Sequence, residues 1–157
     1  MFSKEKTKFI AKVTIAHLTT YMICGMVFYK VFKYKDHIDN IGFKSIDDIS
    51  GRQLIIGQIT RGFLFGIVLW WIKDSFIGKK LGWLKLWAIL IIVGIIGVYA
   101  PAPASIEGAI YLDPGDEPQP LIFELGSLGE VMLQPLLFSL IVTYQRKNKI
   151  VKQVQVN

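Results

Sequence analysis

Two charged side chains, Arg61 and Glu130, lie inside long apolar segments of this 157-residue chain. A charge at the centre of a membrane-spanning helix costs about 2.5–3.5 kcal/mol, and such residues commonly mark ion, substrate or ligand sites. At a rise of about 1.5 Å per residue, both stand roughly 12–14 Å from the same end of their segments. This equal depth predicts an ion pair or a shared hydrogen-bond network between Arg61 and Glu130.

Other polar side chains repeat at helical spacing around these two charges. At about 100° per residue, the polar positions of the last apolar segment fall within an arc of roughly 120°, which must face the bundle interior or an aqueous cavity. We predict a polar pocket open to the outer side and lined by Tyr21, Gln58, Arg61, Glu124, Ser127, Glu130 and Gln134. His17, one turn nearer the cytoplasm, and Glu107, near the outer mouth, are secondary candidates.

The sequence contains no residue pattern that indicates a metal or cofactor site. The two histidines, His17 and His37, fall on opposite sides of the predicted membrane, and the single cysteine, Cys24, lies within the first apolar segment. Motifs of serine hydrolases, zinc proteases, phosphate-binding loops and dithiol redox sites are missing as well. We therefore predict no metal, no cofactor and no assignable catalytic residue.

Four apolar segments must position the polar residues. Crossing about 30 Å of hydrocarbon takes about 20 helical residues, and the segments at about 10–30, 53–73, 83–101 and 120–144 meet that length. Apolar residues make up 52% of the chain and are gathered into these runs. Pro101 and Pro103 are expected to end the third segment. The pattern predicts an all-α membrane protein in which residues 1–157 form one integral domain, a four-helix transmembrane bundle.

Clusters of lysine and arginine indicate the orientation of this bundle. They flank the apolar segments in the N-terminal tail, in the connector around Lys79 and Lys80, and in the C-terminal tail, whereas the loop around Asp113 and Asp116 is acidic. Because cytoplasmic flanks are enriched in Lys and Arg, we predict that both termini lie inside. The net charge of +6 is then a topology signal and not a nucleic-acid footprint. The expected location is the plasma membrane, as a multi-pass protein of a bacterial inner membrane, with membrane lipids as partners.

Gly62 and Gly66 form a GxxxG pattern in the second apolar segment. This spacing allows close approach of another helix, either within the chain or from a partner. The pattern therefore leaves open a homo-oligomer or a partner membrane protein docked through these glycines.

Three functions are compatible with these features. The leading one is a small polytopic membrane protein whose charged intramembrane pocket binds or passes a small polar solute or ion. The alternative is a non-catalytic membrane subunit or regulatory protein in which Arg61 and Glu130 form a structural pair. The third is a membrane enzyme acting on a lipid-borne substrate, which the sequence favours less than a non-enzymatic role.

Overall fold

The computed structural model describes residues 3–33, 50–98, 105–111 and 121–144, and it contains helices and no strand in these ranges. The helices are α1 (Lys4–Val31), α2 (Gly51–Ile72), α3 (Gly82–Ile91), α4 (Ile106–Tyr111) and α5 (Leu121–Thr143). The all-α prediction is therefore confirmed for this part of the chain, while membrane insertion and the placement of both termini inside remain predictions.

Three of the described helices are long and apolar enough to cross a membrane: α1, α2 with its 3₁₀ turn (Lys73–Ser75), and α5. The third predicted segment is shorter than expected. It comprises α3 and a π-helical turn (Ile92–Ile96), which closes when Gly97 N donates to Ile92 O over 2.7 Å. Over its 15 residues such a helix rises only about 22 Å. Pro101 and Pro103 lie outside the described residues.

Helix α1 packs against both α2 and α5, and α3 packs against α5. The seam with α2 runs through Gly62 and Gly66, which are both buried. A Cβ at Gly66 would lie 3.0 Å from the Cα of Ile10, and one at Gly62 would lie 3.0 Å from the Cα of Thr14. The GxxxG pattern is thus used within the chain. Association with a second copy or another protein stays a prediction, but these glycines already contact α1.

The seam between α1 and α5 also depends on small residues. Phe28 of α1 and Phe32, the C-cap residue of this helix, stack with ring centroids 5.3 Å apart. A Cβ at Gly126 would lie 2.5 Å from the Phe32 ring, and one at Gly129 would lie 3.1 Å from the Phe28 ring. The two glycines of α5 therefore make room for the two rings of α1, and this holds the far ends of these antiparallel helices together.

At the opposite end, the helices meet in an apolar core that includes the connector between α2 and α3. Its buried members are Val13, Ala16, Leu69, Phe76, Leu86, Phe138 and Val142. Phe76 belongs to the connector and is fully buried, so the turn itself forms part of the core. This end of the bundle is closed by apolar packing.

Lys12 joins α1 to the end of α5. Its Nζ donates to the carbonyl oxygens of Val142 and Tyr144 over 2.8 and 3.0 Å. These belong to the last carbonyls of α5, which have no partner within the helix, so the ammonium group serves as a cap.

Replacing Lys12 by methionine is expected to lower the free energy of unfolding by about 1–3 kcal/mol, because two carbonyls lose charged donors. Amide hydrogen exchange should then accelerate over the last turn of α5. Lys4→Met, on the exposed start of α1, is the control and should leave exchange in α5 unchanged. Equal exchange in both variants would contradict the capping role.

Candidate polar cleft

His17 and Gln58 connect α1 to α2 by a side-chain hydrogen bond. His17 is 4% exposed, and its Nε2 lies 3.0 Å from Gln58 Oε1. The histidine ring also makes edge contacts with Phe65 at 5.3 Å and Phe138 at 6.2 Å between centroids. The structure thus places His17 at the meeting point of α1, α2 and α5, with an aromatic wall on its other side.

Arg61 lies one turn from Gln58 on α2, about 15 Å from either end of that helix. Its side chain is exposed, and its Cζ stands 5.5 Å from the centroid of the Phe65 ring. A guanidinium over an aromatic face gains a cation–π attraction. Phe65 therefore orients the guanidinium, while the Arg61 side chain stays exposed.

Glu130 lies on the facing wall, on α5. Its Oε1 is 3.7 Å from the position that a Cβ on Gly25 of α1 would occupy. The structure does not support the predicted ion pair with Arg61, since the guanidinium lies over Phe65 and the carboxylate lies against α1.

Tyr21 of α1 lies near both charges. The Tyr21 hydroxyl is within electrostatic range of both Glu130 and Arg61, and His17 is within range of Arg61. The ring centroids of Tyr21 and His17 are 6.2 Å apart. We use the term polar cleft for the region between α2 and α5, with α1 as its floor, that contains Tyr21, Gln58, Arg61 and Glu130.

Phe65 and Phe138 close the polar cleft on one side. Their centroids are 6.3 Å apart, and they join α2 to α5 next to His17. Beyond them lies the apolar core around Phe76. The apolar core thus lies on one side of the polar cleft, and the opening of the cleft towards the outer side stays a prediction.

For the remaining predicted pocket residues, the structure gives the helix and, except for Glu124, the burial of the side chain. Ser127 and Gln134 of α5 are half-buried and lie within about a turn of Glu130. Glu124 belongs to the first turn of α5, but its side chain lies outside the described part of the structure. Glu107 is half-buried in the short helix α4, and its position relative to a membrane stays a prediction.

Two cavities lie elsewhere, towards the N-terminal end of α1. One, of about 400 Å³, includes Lys8, Lys12 and Trp70 in its lining, and the other, of about 350 Å³, includes Ile10, Thr14 and Phe63. Neither is lined by a predicted pocket residue. Among the described residues, no cluster of three or more His, Cys, Asp or Glu side chains has a geometry suited to a metal ion.

Trp87 has a role that the sequence did not indicate. Trp87 Nε1 donates to the carbonyl of Met132 in α5 over 3.0 Å. That carbonyl lies in the turn before Pro135, where proline disturbs the helical hydrogen bonds. Proline inside a predicted helix was the available signal that a neighbouring helix would supply a donor.

No family model, curated protein or solved structure matches this chain.

Proposed function

We propose that this chain is a polytopic membrane protein that binds or passes a small polar solute or ion in its polar cleft, entered from the outer side. The observation that carries the proposal is the location and exposure of the Arg61 side chain. Its charge lies in the middle of an apolar helix, is exposed, and is oriented over Phe65. A charge at this depth is costly unless water, a ligand or a partner compensates it.

The surroundings of Arg61 favour a solute over lipid. Glu130 offers a carboxylate on the facing wall, and Tyr21 offers a hydroxyl near both charges. A guanidinium, a hydroxyl and a carboxylate around one cleft can bind complementary groups of a polar solute through charge-assisted hydrogen bonds. This arrangement fits a solute with polar groups at both ends, or an ion bound with its water.

Membrane insertion is the other part of the proposal, and the exposed side chains support it. Large apolar residues are exposed along α1, α2 and α5, including Ile15, Val27, Phe63, Val68 and Leu125. Contiguous apolar surface of this extent is rare on soluble monomers. Together with three helices of spanning length, it is what lipid contact requires.

Thiol labelling tests the cleft without knowledge of its ligand. In a Cys24→Ala background, Ser127→Cys should react with anionic and cationic methanethiosulfonate reagents added from outside, because a thiol must ionise in water to react. Adding Arg61→Gln should lower the anionic rate relative to the cationic one, since a positive charge that attracts the anion is lost.

Leu128→Cys is the matched control. Leu128 is the next residue of α5, is 47% exposed, and belongs to the apolar surface. In a membrane its thiol should stay unreactive. Equal labelling of positions 127 and 128, or no labelling at 127, would rule out an outward-open aqueous cleft.

A non-catalytic membrane subunit is the second candidate, and the bond between His17 and Gln58 favours it. That contact joins two helices in the way that polar residues often do in membrane bundles. In this alternative the residues of the polar cleft only hold the helices together. Ser127→Cys would then remain as unreactive as Leu128→Cys. A membrane enzyme stays a prediction to which the described geometry adds no support.

A further inference from the structure

We infer that the 400 Å³ cavity between the start of α1 and the end of α2 is a binding site for the headgroup of an anionic phospholipid. None of the residues that line the cavity belongs to the polar cleft. The cavity is lined by Glu5, Lys8, Phe9, Lys12, Trp70 and Lys73, among others. The inference is thus separate from the solute proposed above.

Two lysines of this cavity are held in place by their surroundings. Lys12 donates to two carbonyls of α5, and Lys73 donates to Glu5 Oε1 over 2.9 Å while standing 3.6 Å from the centroid of the Trp70 ring. An ammonium group has three donors, so each retains capacity for a phosphate oxygen. Fixed ammonium groups lose little conformational entropy when an anion binds.

The charge of the cavity favours an anion. Its three lysines outnumber its two carboxylates, Glu5 and Asp74, and Glu5 is already paired with Lys73. Lys8 is exposed at the rim and adds an ammonium group that can approach a headgroup from the solvent side. A zwitterionic headgroup has no net charge, so the excess of lysines attracts it less than an anionic headgroup.

The apolar wall of the cavity favours a lipid over free phosphate. Phe9 and Trp70 meet edge to face with centroids 5.6 Å apart, and Ile77 extends this wall. Tryptophan is enriched at the level of lipid headgroups, where its ring contacts the glycerol and upper acyl region. Lysines beside an aromatic wall therefore match a phosphate that is attached to a glycerol and acyl chains.

Native mass spectrometry of the detergent-solubilised full chain tests this site, because no membrane surface is present to attract lipids non-specifically. The three probes are dioctanoyl phosphatidylglycerol, dioctanoyl phosphatidylcholine and sodium phosphate. We expect one phosphatidylglycerol to be retained per chain, with weaker binding of phosphatidylcholine and no displacement by equimolar phosphate. Lys8→Gln should weaken phosphatidylglycerol binding about fivefold, the effect of one lysine charge.

Lys79→Gln is the matched control, since it removes the same charge from the connector outside the cavity. Its affinity for phosphatidylglycerol should equal that of the wild type. Equal losses in Lys8→Gln and Lys79→Gln, or equal binding of the two lipids, would overturn the site. Displacement by equimolar sodium phosphate would show an anion site without lipid specificity and would overturn it as well.

Discussion

Arg61→Met is expected to raise the free energy of unfolding in a bilayer by about 1–3 kcal/mol. A charged residue at the centre of a spanning helix costs about 2.5–3.5 kcal/mol, and water in the polar cleft reduces this cost. The guanidinium rests over Phe65, so methionine of similar length can keep contact with that ring. Steric trapping of the protein in bicelles measures the difference directly.

The sign of this change separates the two leading functions. If Arg61 and Glu130 formed a structural ion pair in the membrane, Arg61→Met would destabilise by about 3–5 kcal/mol because Glu130 would be left unpaired. Arg61→Met with Glu130→Leu would then recover the loss. A destabilised single variant rescued by the double variant would contradict the solute-binding proposal. Arg52→Met, at the exposed start of α2, is the control and should change stability little.

Gly66→Leu is expected to disrupt the bundle, with a loss of about 3 kcal/mol or more in the free energy of unfolding. A Cβ at this position would already lie 2.9 Å from Ile10 Cγ2 and 3.0 Å from the Ile10 Cα. The second contact is with backbone, so rotation of the Ile10 side chain cannot relieve it and α1 must move away. The loss of α1 packing should appear as a lower melting temperature in detergent.

Gly57→Leu is the matched control for this change. It lies on the same helix, and a Cβ there would meet no atom within 4 Å. Because leucine has the higher helix propensity, Gly57→Leu should be neutral or slightly stabilising. If the two variants melted together, the seam between α1 and α2 would not be where the structure places it.

The sequence by itself determined the helical elements and the identity of the polar residues. Long apolar runs bounded by charged clusters predict helices with bounds close to those of α1, α2 and α5, because apolar content and charge are properties of local sequence. The same holds for the polar stripe of α5, whose residues share a face through helical periodicity alone.

Only the tertiary structure decided which of these residues meet. Depth along each helix matched Arg61 with Glu130, but depth contains no information about how each helix is rotated about its axis. The structure pairs His17 with Gln58, directs Gly62 and Gly66 to α1, and brings Trp87 to α5. These outcomes depend on how side-chain shapes pack between helices that are distant in the sequence, and a one-dimensional pattern does not specify that packing.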